Sequence, residues 1–493
     1  MAWSFAQRWA VLSSSPFPIG VDGYFYPVQL RSLMETGHLQ YPASPLGFWL
    51  MLPFAAATDP ITGAKLGAAF YTALVALPAY GVGARLGKSR GAGLVAAALA
   101  TFSAGSAYMT IEFVKNGIGI TMALTALWLV LRAIERRSRL RIAAAVVAIV
   151  AAILAHKMAA AIVVGIAVPA VLADATGRGA LRGRRLIYAI AGLAIVGTVV
   201  IVVGIVAPQR FVSPGDVGLV GHMWTSDADW SLPVLANDRN TLRLGAEPLV
   251  GLVLALAAAA GLVVERKVWR VERVRGVEVT SWAVIALGIV IGLPWLAVDD
   301  PQGLGMRLRI VAFVPMALCA TIVLRVVLRV ILPLVAVRGE RAVHAGICVV
   351  LAVLLAQRVP GSRTEGLIPM HPALVTGVQS LIGRVPDTDT IVVPERQIIF
   401  MVAWYTRSKI SLRPDTVPID ERWRLMPRAF IIHDSPLDHA LLAVRTRSEL
   451  PRPLGLHPRD PNGLVLVAEP TWQYVLSTLS PSERRYWADW PTR

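Results

Sequence analysis

Apolar stretches long enough to cross a bilayer follow one another through the first three quarters of this chain, and short basic clusters separate them. The stretches lie near 63–84, 90–109, 115–133, 185–207, 247–264, 279–297, 308–327 and 342–357. About 20 apolar residues in a helix match the hydrocarbon thickness of a membrane. A longer apolar run, 141–174, is interrupted by "AHKM" at His156 and Lys157. It is too long for one span and reads as a tight hairpin of two short, tilted helices. The opening "MAWSFAQRWAVLSSSPFPIG" is neither a clean signal peptide nor a full span, and reads as the outer part of a first helix. The total is about eleven spans.

Charge distribution orients them. Arg85, Lys88 and Arg90 form one basic cluster; "RAIERRSRLR", "RGALRGRR", "ERKVWRVERVR" and the 325–341 region form the others. All fall on alternate turns, as the cytoplasmic bias for Lys and Arg requires if the N-terminus is inside. The complementary segments, 20–62, 106–116, 155–158, 208–246, 298–306 and everything after 357, then face outward. The net charge of +17 in 493 residues is thereby accounted for without nucleic acid. Only 16% of residues are charged, where soluble domains carry about a quarter. Two cysteines, Cys319 and Cys348, lie in apolar runs and build neither a disulfide framework nor a thiolate metal site.

The first outward loop, 20–62, holds two further elements. Residues 24–36 have helical propensity, with Asp22 near the N-cap and Gly37 at the stop. "LGFWLMLPFAAA" (46–57) is too short to span and is expected to lie in the interface as an amphipathic helix. From about 362 the composition changes. "DTIVVPE" and "NGLVLVAEP" read as short strands, and "HPALVTGVQSLIGR" and "TWQYVLSTLSPSERRYWADW" as helices. The expected architecture is an α-helical polytopic membrane domain, 1–361, followed by a small extracytoplasmic α/β domain, 362–493, of about 130 residues.

Several outward positions hold ionisable groups at or just inside helix ends: Asp22, Glu112, Lys115, His156, Lys157, Asp299, Asp300, Arg307 and Arg309. Such groups at membrane depth are costly and face a cavity or a partner. A cation cluster there suits an anionic headgroup such as a phosphate. A carboxylate beside it suits a general base that deprotonates an acceptor hydroxyl. Together they describe group transfer from a lipid phosphate. Each group also has a structural reading: Asp22 as a helix cap, Glu112 and Lys115 as an i,i+3 pair on one helix, His156 and Lys157 as a solvated tip, Arg307 and Arg309 as interfacial side chains.

The first outward loop resembles that of the type-C glycosyltransferases, in particular the bacterial branch related to protein O-mannosyltransferases and the lipid A aminoarabinose transferase. The residues that carry the likeness are Asp22, Tyr26, Arg31 and Gly37, then "SPLGFWL" with Pro45, Leu46, Phe48, Trp49 and Leu50. It extends over roughly residues 16–135. The resemblance implies a GT-C-like fold and an inverting transfer of sugar from a polyprenyl-phosphate-linked donor to a glycan, lipid or protein acceptor. It places Asp22 as base, with Glu112 as second acid. Lys115, His156, Lys157, Arg307 and Arg309 would bind the donor phosphate, and Tyr26 and Arg31 would position the loop and the acceptor. Neither a cofactor nor a metal is expected, and the setting is a bacterial inner membrane. The chain departs from the pattern at Ala43, where that branch has a lysine, and at Asn116, where it has an aspartate. Two other classes stay open: a lipid or polyol transporter or flippase, which calls for midplane charges and an internal repeat, and a non-catalytic scaffold presenting the outer domain.

Overall fold

The computed structural model describes residues 1–177 except 21, then 247–268, 275–293 and 304–334. It also describes 202–207 and, in the C-terminal part, 372–379, 390–393, 396–411, 417–427 and 464–468, with isolated or short stretches of residues elsewhere. The expected spans 185–207 and 342–357, the loops 208–246 and 298–303, and the tail beyond Arg484 lie essentially outside the described residues.

Ten helices fill the first 177 residues: α1 (Ala2–Leu12), α2 (Phe25–Thr36), α3 (Leu46–Ala57), α4 (Pro60–Ala73), α5 (Ala76–Leu86), α6 (Arg90–Phe102), α7 (Ala104–Ile111), α8 (Val114–Glu135), α9 (Arg139–Ala155) and α10 (Lys157–Gly177). Among the described residues of the membrane part four more follow, α11 (Glu247–Val268), α12 (Arg275–Gly292), α13 (Leu304–Ile310) and α14 (Phe313–Leu334). Among the described residues, five segments are long and apolar enough to cross a membrane: Pro60–Leu86, Val114–Glu135, Lys157–Gly177, Glu247–Arg266 and Arg275–Gly292. The pair α6 and α7, bent by 46° between them, passes the same test when taken together, which brings the number to six if the pair is counted as one broken span. The protein is therefore a polytopic helical membrane protein. The apolar run 141–174 is broken at His156, as the interruption in the sequence requires, into α9 and α10.

Two compact units divide the chain. The first comprises Met1–Ser14, Tyr41–Phe54 and Lys65–Gly366; the second comprises Ser15–Gln40, Ala55–Ala64 and Leu367–Arg493. In the first, α5 packs on α6 and α8, α8 on α9 and α10, α10 on α12, and α14 on α6 and α11. Its core draws on Val82, Leu86, Leu124, Leu131, Val284, Phe313 and Ile322, each buried. Lipid tails are as apolar as leucine, so polar cross-links add what burial cannot. Buried Glu265 of α11 pairs with Arg325 and Arg329 of α14, and Arg325 also donates to the Leu86 carbonyl of α5 at 2.7 Å. Arg85 meets Glu135 at 3.1 Å, and Arg137 meets Asp174 at 2.7 Å. All of these lie in or beside the basic clusters that the charge pattern assigns to one side.

In the second unit, α2 begins and ends almost where its sequence indicates, and Gly37 stops it in the left-handed conformation with φ 74°. The N-cap, however, is Tyr24, with no side-chain cap bond from it. Asp22 lies two residues earlier, in a turn where its carbonyl accepts from Phe25 N–H at 2.9 Å. A four-stranded sheet follows: β1 (Thr390–Val392), β2 (Lys409–Ser411), β3 (Arg422–Pro427) and β4 (Leu464–Ala468), in the order β2-β1-β3-β4. β1 runs parallel to β2 and β3, with Ile391 opposite Ile410 and Trp423; β3 and β4 are antiparallel. Helices α15 (Pro372–Gln379) and α16 (Arg396–Thr406) accompany the sheet. Tyr24, Val378, Ile391, Val402 and Leu425 share one core. The small α/β fold is thus present, and α2 packs on α16 as part of it.

Helix α3 forms over the residues expected, but "LGFWLMLPFAAA" carries no polar side chain on any face. It is apolar all round instead of amphipathic.

Candidate functional site

Three cations of the first unit, Lys115, Lys157 and Arg307, gather about His156, where α7 meets α8, where α9 meets α10, and on α13. Helix α7 ends at Glu112, whose N–H donates to the Tyr108 carbonyl at 2.9 Å. Phe113, at φ −128° and ψ 53°, is not helical, and α8 starts one residue later. Glu112 and Lys115 are consequently separated by a helix junction and are not an i,i+3 pair on one helix. Glu112 is buried, 6% exposed.

Lys115 lies in the first turn of α8, and Lys157 opens α10. Helix N-termini carry positive partial charge, so both lysines stand where the macrodipole disfavours them. The arrangement concentrates positive potential in a way that an incoming anion relieves. Aromatic faces offset part of the cost. The Lys115 ammonium lies 5.9 Å from the Phe48 ring centre, and the Arg307 guanidinium lies 5.8 Å from that of Phe113. Both distances fall within the reach of a cation–π contact.

His156 occupies the break between α9 and α10 in extended conformation, with φ −166° and ψ 143°. Its Nδ1 accepts from the Met158 N–H at 3.1 Å, so the imidazole caps α10. Gly119 makes room for it: a Cβ there would lie 2.8 Å from the His156 Cβ. Burial holds the His156 imidazole far below its usual range, to about 3, and the charges of Lys115, Arg307 and Lys157 push the same way. These influences tie the four groups into one electrostatic cluster around a neutral histidine.

Arg307 and Arg309 are two residues apart on α13 and so face different ways. Arg307 is exposed, whereas Arg309 is buried, 1% exposed, inside the first unit.

Asp22, Tyr26 and Arg31 belong to the second unit. Asp22 is half-buried and Tyr26 buried, its ring 5.5 Å from that of Phe25. Arg31 donates to the carbonyls of Trp404 at 2.6 Å and Ala403 at 3.0 Å, and stacks 4.6 Å over the Trp404 ring. It binds the last turn of α16, where carbonyls lack intrahelical partners. Tyr24 and Tyr405 share a hydrogen bond of 3.2 Å. Burial and that bond raise the Tyr24 hydroxyl well above the usual tyrosine range.

Sequence reasoning marked Phe48, the ring under Lys115, only as part of the family likeness, and passed over Phe113, the ring under Arg307, and Glu247, the first residue of α11. Glu247 had a signal: it is an acid at a helix end that the charge pattern assigns to the outward side, the same criterion that marked Glu112.

No protein-family profile matches the chain, and no curated protein matches it by sequence. Among solved structures it is similar to ArnT from Cupriavidus metallidurans bound to undecaprenyl phosphate, with TM-score 0.54 and 14% identity over 97% of this chain and 98% of that one. The apo state of ArnT aligns at 14% identity over 96% and 97% of the two chains, with TM-score 0.48. At that identity the likeness is one of fold, and it extends over nearly the whole of both chains.

Proposed function

We propose that this protein is a membrane glycosyltransferase that moves a sugar from a polyprenyl-phosphate-linked donor to an acceptor hydroxyl or amine on the outer face of the membrane, with inversion. The observation that carries the reading is the cluster of Lys115, Lys157 and Arg307 around neutral His156, in a fold shared with a protein that binds undecaprenyl phosphate.

The chemistry follows from those groups. The acceptor oxygen attacks the anomeric carbon, its proton passes to the Asp22 carboxylate, and the bond from the anomeric carbon to the phosphate oxygen breaks. The departing polyprenyl phosphate carries the electron pair as negative charge. Preorganised cations stabilise developing charge more cheaply than water, because they need no reorganisation. Lys115, Lys157 and Arg307 supply that charge. His156, holding its Nδ1 to Met158 N–H, presents Nε2–H as an uncharged donor. Glu112 offsets the positive charge beside them, and buried Arg309 supports α13. Arg31 and Tyr26 fix α2, and with it the turn that bears Asp22.

The test is genetic and chemical. Surface glycans and glycolipids of cells with the gene, without it, and with Asp22→Asn are compared by mass spectrometry. A sugar modification lost in both the deletion and the Asp22→Asn strain supports the reading. An unchanged glycan and glycolipid profile in the deletion strain refutes it.

A further inference from the structure

The span formed by α6 and α7 is broken at Ser103, and the groups freed by the break are taken by two charged residues remote in sequence. In an unbroken helix, Ala104 and Gly105 N–H would bond to carbonyls four residues back. Here Ala104 N–H donates to one carboxylate oxygen of Glu247, and Gly105 N–H to the other at 3.0 Å. The Ser103 hydroxyl accepts from Ser106 N–H at 3.2 Å. On the other side of the break, the Thr101 carbonyl, which Gly105 N–H would otherwise have reached, accepts from the Arg8 guanidinium at 2.9 Å.

Arg8 holds more than that carbonyl. Buried in the first unit, it donates to Ser106 Oγ at 2.7 Å, to Thr110 Oγ1 at 3.0 Å and to Ser4 Oγ. Thr110 in turn meets Thr72 Oγ1 at 3.1 Å. Arg8 thus ties α1 to both halves of the broken span, and Glu247 ties the start of α11 to the second half. An unsatisfied backbone group in lipid costs several kcal/mol, so a break at membrane depth persists where such partners are supplied.

Helix α7 connects this break to the cation cluster. Its C-terminal residue precedes Glu112, and Tyr108 packs 5.7 Å from the Phe113 ring that faces Arg307. Its N-terminus lies against α13: a Cβ on Gly105 would come within 2.3 Å of the Ile310 carbonyl. A rotation of α7 would move Lys115 through the junction and shift the Phe113 contact of Arg307.

We infer that Arg8 and Glu247 are positioning residues for the donor-phosphate site: they hold the α6–α7 break at its angle and so set Lys115 against Arg307. This rests on the proposed function for the identity of the ligand, but not for the geometry of the break. The two are tested separately in full-length protein in nanodiscs. Nitroxides at Leu94→Cys on α6 and Ala107→Cys on α7, in a background lacking Cys319 and Cys348, report the interhelix distance. Undecaprenyl phosphate is the binding probe. Glu247→Gln, Glu247→Asp, Arg8→Met, Arg8→Lys and the double variant Arg8→Met/Glu247→Gln are compared.

Glu247→Gln, which keeps shape but puts an NH₂ against a backbone N–H, should displace or broaden the distance distribution and weaken binding about tenfold, the loss of one charge-assisted contact. Glu247→Asp and Arg8→Lys should recover part of both. The double variant should be little worse than the poorer single one, because both act on one break; independent structural damage would add. An unchanged distance in folded Glu247→Gln overturns the inference, as does a changed distance with unaltered affinity. Failure of the wild type to bind the lipid refutes the functional reading and the inferred role together. The distance arm then still reports the break.

Discussion

The Met158 N–H donates to His156 Nδ1 across 3.1 Å, which leaves the imidazole proton on Nε2, the nitrogen free to serve a ligand. His156 is pushed down to about 3 by burial and by Lys115, Arg307 and Lys157. The folded protein therefore favours its neutral form near neutral pH. A histidine with its folded value below the unfolded one contributes stability above about 6.5, and loses it as pH falls from there toward 3. The melting temperature of the wild type should fall more steeply between pH 7.5 and 4.5 than that of His156→Gln. Parallel pH dependences would mean that His156 is charged or unperturbed in the fold.

Lys115→Ala and Arg307→Ala should each weaken undecaprenyl phosphate binding by about ten- to a hundredfold, since a charge-assisted hydrogen bond is worth roughly 1.5–3 kcal/mol. Titration of purified protein by native mass spectrometry reads this directly. Unchanged binding in both variants, with the protein folded, would remove these residues from the phosphate site.

Arg31→Lys should destabilise the second unit nearly as much as Arg31→Ala, by about 1–3 kcal/mol. One ammonium does not reproduce the fork that meets the carbonyls of Ala403 and Trp404 while covering the Trp404 ring. Limited proteolysis of the C-terminal part measures it. Full protection in Arg31→Lys would show that the charge alone suffices.

Membrane orientation is open to a labelling test at exposed positions. In a cysteine-free background, His38→Cys and Lys409→Cys should react with an impermeant thiol reagent in intact spheroplasts, and Arg136→Cys should not. The reverse pattern would move the proposed chemistry to the cytoplasmic face.

Much of this fold was legible because local chemistry decides it. Gly37 ends α2 since few other residues adopt a left-handed cap, and His156-Lys157 divides an apolar run too long for one span. β1 and β4 declare themselves by β-branched runs, whereas β2 and β3, three and six residues with polar members, do not. The break at Ser103 was hidden. The run 90–109 carries no charge after Arg90, and its small polar residues Thr101, Ser103 and Ser106 do not by themselves interrupt a span. The residues that make the break tenable, Arg8 and Glu247, are 93 and 142 positions away from the backbone groups they hold. Likewise, Arg307 and Arg309 look alike in sequence, and only packing separates an exposed cation from a buried one.

Transfer chemistry with Asp22 as base is tested most directly by release of polyprenyl phosphate from a panel of radiolabelled polyprenyl-phosphate sugars, given to purified protein with membrane acceptors. The wild type should release lipid phosphate and label an acceptor with at least one donor. Asp22→Asn removes the basic oxygen while preserving size, and should lower that rate by at least about a hundredfold, with undecaprenyl phosphate still bound. Asp22→Glu should recover little of it, because the longer arm displaces the carboxylate. Turnover by Asp22→Asn close to that of the wild type, or no release from any donor by the wild type, would contradict the mechanism.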